Sequence, residues 1–561
     1  MLFLAGCQGA DQSQDTQQAS APEMPDGVSF VDISVSSGIN AFRHQAGGFG
    51  EKWFPEIMGA GGGFIDYNQD HWPDILLVSG GALQPGASTK TPAVRLLENK
   101  QDGTFEDVTV QVGLADIYGY GFGIAVADYD NDGDQDFALS TLYENLLFRN
   151  DAGRFVEIGD QMGFSDLREW STGILFLDAD NDGWVDLLVG NYVEWSPESD
   201  KRCTVDGANK EYCTPEIYAG LPLRLYRNVE GERFVNVSTE AGLASNPGKT
   251  LGLSVLDFNH DGLLDFVATN DTERDLLYEN RGDGTFQERG MISGMALSGD
   301  GKASAGMGID TGYIDGSGEP AILVGNFSRE SLSVFQHQAN GRFRNATTSS
   351  QIGRPSYLTL TFGLFLFDVE LDGDLDLFVA NGHVHESVAS VQDGITFAQP
   401  PQLYINNGAG RFDEFLPEYK TVFSEELAGR GAAYADIDND GDLDILITAN
   451  NGSPRLWRND SANKNAIQIT LEGVDSNANA IGARLEVVAS DQRQVQLLKS
   501  GSSYLSASSL RQTIGLGDAS QIDTLLVHWS AGTVDTFLDV SINQHIHLKE
   551  GANELVRVNS F

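Results

Sequence analysis

Seven nine-residue acidic loops recur along this chain, and their spacing of carboxylates is that of a calcium site. The clearest copies read DYDNDGDQD (residues 128–136), DADNDGWVD (178–186) and DIDNDGDLD (436–444). Close variants are DYNQDHWPD (66–74), DFNHDGLLD (257–265) and DVELDGDLD (368–376); YIDGSGEPA (313–321) keeps the frame and loses most ligands. Carboxylates or amides at positions 1, 3, 5 and 9, with a main-chain carbonyl at 7, supply the all-oxygen shell of a hard, flexible cation. Glycine at position 6 permits the turn around one ion. The expected ligands are Asp66, Asn68, Asp70 and Asp74; Asp128, Asp130, Asp132 and Asp136; Asp178, Asp180, Asp182 and Asp186; Asp257, Asn259, Asp261 and Asp265; Asp368, Glu370, Asp372 and Asp376; and Asp436, Asp438, Asp440 and Asp444. About six Ca2+ ions are therefore expected. His71 in place of the first loop's glycine predicts a weak or distorted site, Glu370 a lengthened ligand, and Tyr313 and Ala321 no ion in the degenerate loop.

Each loop follows a Gly-rich alternating stretch, such as GFGIAVA or GRGAAYA, and precedes a short β-branched or apolar run, such as FALST or ILITAN. That pattern reads as a hairpin of two strands. No helices flank the loops, which excludes a helix–loop–helix calcium hand. A second element, an apolar pair, Asn, a turn and Gly-x-Phe, recurs in LLFRNDAGRF, LYENRGDGTF and LYINNGAGRF, and adds a second hairpin. First loop positions fall at residues 66, 128, 178, 257, 313, 368 and 436. Four strands per repeat at such a period predict an all-β fold, a seven-bladed β-propeller over 27–460. The last repeat lacks its Gly-x-Phe strand, and an orphan VSFVDIS (28–34) precedes the first. Pairing of the two ends would close the ring and leave no open sheet edge.

From about residue 463 the loops stop, and short alternating strands to about 553 predict a small β-sandwich. Acidic residues number 81 against 35 basic, a net charge of −46, which argues against nucleic acid and anionic membranes as partners. Cys203 and Cys213 share the longest insertion and are expected to form a disulfide, which implies an oxidising compartment. Residues 1–7, MLFLAGC, resemble a truncated lipoprotein signal with a lipobox, so Cys7 is the expected lipidation site. Residues 8–26 read as a disordered tether. Together these predict an exported protein, an outer-membrane lipoprotein or cell-surface protein of a Gram-negative bacterium, touching the membrane only through its N-terminal lipid.

The acidic loops resemble FG-GAP/VCBS repeats, calcium-loop propeller blades also found in integrin α heads. NAIGARLEVV (479–488), SGSSYLSASS (500–509), GLG (515–517) and VHWSAGTVD (527–535) resemble an ASPIC/UnbV domain. The pair is similar to the cartilage acidic protein family, whose bacterial members mostly lack an assigned reaction. Fold does not supply one.

No GxSxG, HExxH or helix-opening GxGxxG occurs, and residues 242–250 (GLASNPGKT) have one residue too many between glycines for a phosphate loop. His383 and His385 are metal or acid/base candidates, against the plainer reading of an exposed polar loop; His44 could approach the same face. Trp53, Trp170, Trp195 and Tyr192 offer a sugar- or peptide-binding surface, against ordinary blade packing. No catalytic residue is assigned. The reading that results is a binding or adhesion module for an extracellular glycan or protein, formed by the exposed loops of the other face together with the C-terminal sandwich. The alternative is a secreted enzyme, a polysaccharide hydrolase or lyase or a secondary-metabolism tailoring enzyme.

Overall fold

A computed structural model describes residues 27–561 except 49, 82, 84–90, 166, 205–206, 339, 417–420, 462–463, 491 and 553. Cys7 and the tether lie outside the described residues. The protein is all-β, built from four-stranded antiparallel sheets. Each acidic loop joins the first two strands of a sheet. In the first sheet, Gly62–Ile65 and Asp74–Val78 flank the loop, and Val94–Asn99 and Phe105–Asp107 complete the order. Six further four-strand units repeat this plan, with first strands Gly121–Ala127, Glu169–Leu177, Thr250–Leu256, Gly306–Gly312, Thr361–Phe367 and Gly429–Ala435; pairing of Glu169 and Trp170 with Tyr143 and Leu142 joins the second and third into one eight-stranded sheet.

The order is closed. Each first strand neighbours the next, and Gly429–Ala435 returns beside Gly62–Ile65. Phe30–Asp32 completes the last sheet, with Phe30 opposite Asn459 and Asp32 opposite Trp457. This arrangement is consistent with a propeller. The second strands, such as Asp186–Asn191 and Asp376–Asn381, are buried throughout, because both faces pack on neighbouring sheets. Phe137 and Phe148 stack at 4.4 Å and pack with Ile65, Leu76 and Leu96 of the preceding sheet. Burial of one such side chain contributes about 2–3 kcal/mol.

Two more four-stranded sheets follow. One orders Gln512–Gly517, Asn465–Glu472, Gln544–Lys549 and Val556–Ser560; the other orders Gln492–Leu497, Arg484–Ala489, Ile522–His528 and Val534–Val540. They share a core that includes Ile467, Leu485, Leu525 and Ile546. The strand Val556–Ser560 lies past residue 553, and Asn465–Glu472 pairs with Gln544–Lys549 in parallel. This region rests on the acidic loops. Asn479 Oδ1 accepts from the Asp128 amide at 2.6 Å, Gln468 Nε2 donates to Asp436 Oδ2 at 2.6 Å, and Arg511 donates to the His71 carbonyl at 2.6 Å.

Its segment 500–509 enters the centre of the ring. Ser500 Oγ donates to the Phe176 carbonyl at 2.7 Å, the Ser503 amide to the Ile309 carbonyl at 2.6 Å, and the Tyr504 hydroxyl to the Met58 carbonyl at 3.1 Å. These contacts explain the Gly-rich first strands. A Cβ on Gly61 would lie 1.6 Å from the Leu505 carbonyl oxygen, and one on Gly308 2.9 Å from that of Ser503. The glycines there are required by close approach of another backbone.

Candidate functional site: acidic loops and an opposite-face cavity

Each acidic loop is held open by its own backbone. In the second loop, Asp128 Oδ1 and Oδ2 accept from the amides of Asp132 and Gly133 at 3.1 and 2.9 Å. Asp136 Oδ2 accepts from the Tyr129 amide at 3.1 Å and Oδ1 from Asn150 at 2.7 Å. The same bonds recur in loops 66–74, 178–186, 257–265, 368–376 and 436–444. His71 takes φ 65° where Gly133 has φ 100°, and its amide still donates to Asp66 Oδ2 at 3.0 Å. The first loop therefore keeps its frame despite the missing glycine.

A metal fits the second, third and last of these loops. Ligand oxygens of Asp128, Asp130 and Asp136, of Asp178, Asp180 and Asp182, and of Asp436, Asp438 and Asp444 lie within 4.8 Å of one another in each set. At position 3, one buried oxygen of Asp130, Asp180, Glu370 and Asp438 has no hydrogen-bond partner. Such an atom is costly unless a cation or water satisfies it. Burial raises Asp136 to about 9 and Asp74 to about 8, with neighbouring loop carboxylates adding to the rise. A divalent ion would offset both effects. Loop 313–321 has no such set at its end positions, where Tyr313 and Ala321 stand.

A buried asparagine in six of the seven repeats ties adjacent loops. Asn150 Nδ2 donates to the Tyr67 carbonyl at 2.8 Å, Asn228 to Tyr129 at 2.8 Å, Asn280 to Ala179 at 2.9 Å and Asn406 to Ile314 at 2.9 Å. Asn459 donates to Val369 at 3.2 Å, and Asn99 to Ile437 at 2.8 Å, which joins the first repeat to the last loop. The sequence showed this Asn in most repeats, but its partner lies one sheet away and is invisible in the chain order.

The opposite end of the first strands carries a cavity of about 210 Å³. Phe54, Met58, Met307, Phe327, Phe362 and Val384 give it an apolar wall, and Glu216, Asp271, Glu330 and His385 are its ionisable groups. Burial raises Asp271 to about 7, against the Tyr192 hydroxyl that donates to it at 2.5 Å. Glu330 is also raised, mainly by burial. Glu56 accepts from the Trp53 amide at 2.5 Å and from the Tyr212 hydroxyl at 3.2 Å. Tyr212 is brought here by the insertion in which Cys203 and Cys213 are bonded.

The histidine pair is not an exposed loop. His383 is 1% exposed, its Nδ1 accepts from the His385 amide at 3.1 Å, and its Nε2 has no partner. Burial lowers it to about 3. His44 is also buried and neutral, lowered to about 4, with Arg430 adding to the effect at both residues. The aromatic set does come together, but as packing. Trp170 contacts Phe54, Tyr192 and Trp195 at 5.1–6.1 Å and is 2% exposed, so it offers no stacking surface to solvent. Nor is the C-terminal sandwich part of this face, since it packs on the acidic loops at the other end. Asp271, Glu216 and Glu330 stand in no recognisable motif, and sequence reasoning missed them.

Residues 66–139, 257–324 and 368–447 match the FG-GAP-like repeat family, and residues 473–555 match the ASPIC and UnbV family. The chain is thus a protein of FG-GAP-like repeats with a C-terminal ASPIC and UnbV domain. It is distantly similar to cartilage acidic protein 1. The Xenopus tropicalis protein is 24% identical over 311 residues, covering 54% of this chain and 44% of that protein. The human protein is 25% identical over 215 residues, covering 38% and 30%. The match spans less than half the length of these curated relatives. Among solved structures, an Agrocybe aegerita lectin that recognises non-reducing terminal N-acetylglucosamine aligns at TM-score 0.36 and 14% identity, over 66% of this chain and 88% of the lectin. The rhamnogalacturonan lyase YesW aligns at TM-score 0.35 and 13% identity, over 71% of each chain. Likeness at this level carries no functional argument. No helix among the described residues is long and apolar enough to cross a membrane.

Proposed function

We propose that this chain is an exported, calcium-loaded, seven-bladed propeller (27–460) with a β-sandwich (from 463) that binds an extracellular glycan or protein. In this reading the six ligand sets hold Ca2+, Cys7 carries a lipid, and the protein faces the outside of a Gram-negative cell. The cavity carries the proposal. It lies at the end of the ring that the C-terminal region leaves uncovered, and it combines an apolar wall with Asp271, Glu216 and Glu330. Among the described residues no lysine or arginine lines it. Such a site suits a ligand with an apolar face and hydrogen-bond donors or positive charge, as in a sugar or a basic peptide. The test is a glycan and peptide array probed with calcium-saturated protein, with Glu330→Gln and Met307→Trp as cavity variants. Binding lost in both variants supports the reading; ligands that bind both as they bind the wild type place recognition elsewhere.

One observation favours an enzyme instead. Burial raises Asp271 to about 7 while Glu216 stands at the exposed rim, and carboxyls in unlike environments suit acid and base roles. Release of product from an anionic or neutral polysaccharide, abolished in Asp271→Asn, would establish that reading.

A further inference from the structure

The fifth sheet breaks the pattern of the other six in three places, and the three departures meet. Its loop lacks the end carboxylates. At the site of the recurring asparagine it carries His337: Ile322 opposes Phe335 as Phe137 opposes Phe148, and His337 opposes Phe343 as Asn150 opposes Phe155, so His337 stands where Asn150 stands. Its loop also supplies Glu319, and the preceding loop supplies His260 at its fourth position. His337 Nδ1 lies 2.5 Å and His260 Nε2 3.0 Å from Glu319 Oε2. A ligand atom from each of the three residues falls within 4.8 Å of the others.

We propose that His260, Glu319 and His337 form a second kind of metal site, for a divalent transition metal of the zinc class, between the fourth and fifth sheets. The donor set is two imidazole nitrogens and one carboxylate oxygen, which selects borderline metals over calcium. Calcium takes six to eight oxygens, and this cluster offers too few. His337 is 6% exposed and aligned by edge contacts to Phe258 and Phe343 at 6.1 and 5.1 Å. Its ring is fixed, and Nδ1 is the atom turned to the cluster, while Nε2 has no hydrogen-bond partner. His260 is half exposed, so the remaining coordination position faces water. Metal–ligand bonds of about 2.0–2.2 Å need only small movement of the Glu319 carboxylate away from His337. The site replaces the missing asparagine tie: in the other six repeats Asn bridges to the preceding loop, and here a metal would bridge the same two loops.

The test uses the full chain saturated with Ca2+. Zn2+ is titrated calorimetrically, and bound zinc is examined by X-ray absorption for two imidazole ligands. His337→Asn installs the residue the other repeats use and should fold; His260→Ala alters an exposed side chain. The expected result is about one zinc ion per chain with two histidine ligands in the wild type, lost in both variants. The inference is overturned if calcium-loaded wild type takes up no zinc, or if uptake and the imidazole signature persist in either variant.

Discussion

At the scale of single residues, buried polar groups without partners are the most informative feature. His383 and His44 are neutral in the folded state because burial depresses both below the ordinary value of 6.5. A histidine depressed on folding contributes fully above about pH 6.5, and that contribution is lost as pH falls toward its folded value. Each such group steepens the acid loss of stability by up to about 1.4 kcal/mol per pH unit. His383→Gln should therefore show a smaller fall in melting temperature between pH 7 and pH 5, at saturating Ca2+, than the wild type. Equal falls would show that His383 is not a neutral, desolvated group in the fold.

The element that matters is the loop with its bridging asparagine. Asn228 Nδ2 donates to Tyr129 and to Val185 out of water, and its Oδ1 accepts from the partly buried Gly231 amide at 3.0 Å. Asn228→Ala leaves those partners unsatisfied and should cost about 2–3 kcal/mol, read by denaturant unfolding. A cost under about 0.5 kcal/mol would mean water replaces the side chain. The loops themselves should depend on their ions. Removing Ca2+ leaves Asp128, Asp130 and Asp136, and their counterparts, repelling one another in buried positions. Chelation should lower the melting temperature by mass action. Elemental analysis of the calcium-saturated chain should find about six ions; fewer than four would remove most of these loops from the calcium count.

Across the whole molecule, two contacts distant in sequence close the fold. Phe30–Asp32 completes the sheet that ends at Arg455–Asn459. Deleting residues 1–34 should lower stability far more than deleting 1–26, and identical unfolding curves would refute a closing role for that strand. The second contact is the central segment 500–509. Tyr504 is fully buried against Phe362 at 4.8 Å. Tyr504→Ala should cost about 3–5 kcal/mol, as for other large aromatic deletions, and should raise proteolysis of the repeats as well as of the C-terminal region. Stability loss confined to the C-terminal region would show that the two parts unfold independently.

The nine-residue loops, the short apolar strands after them and the orphan first strand were legible in the chain because they are local chemistry. Ligand spacing, β-branched runs and turn glycines act over a few residues, and one repeat taught how to read the next. The C-terminal SGSSYLSASS was legible as a family segment, but nothing local says that it lies in the ring's centre. The glycines of the first strands were visible only as part of an alternating stretch, and their approach to Leu505 and Ser503 explains them. His383 read as an exposed loop because polar neighbours surround it in sequence, whereas burial is set by other sheets. His337, Glu319 and His260 lie up to 77 residues apart. The chain by itself determined the repeat, its expected metal loops and the all-β class. Tertiary structure alone decided which carboxylates face a cavity, which histidines meet and what fills the centre, because each depends on side chains brought together from different sheets.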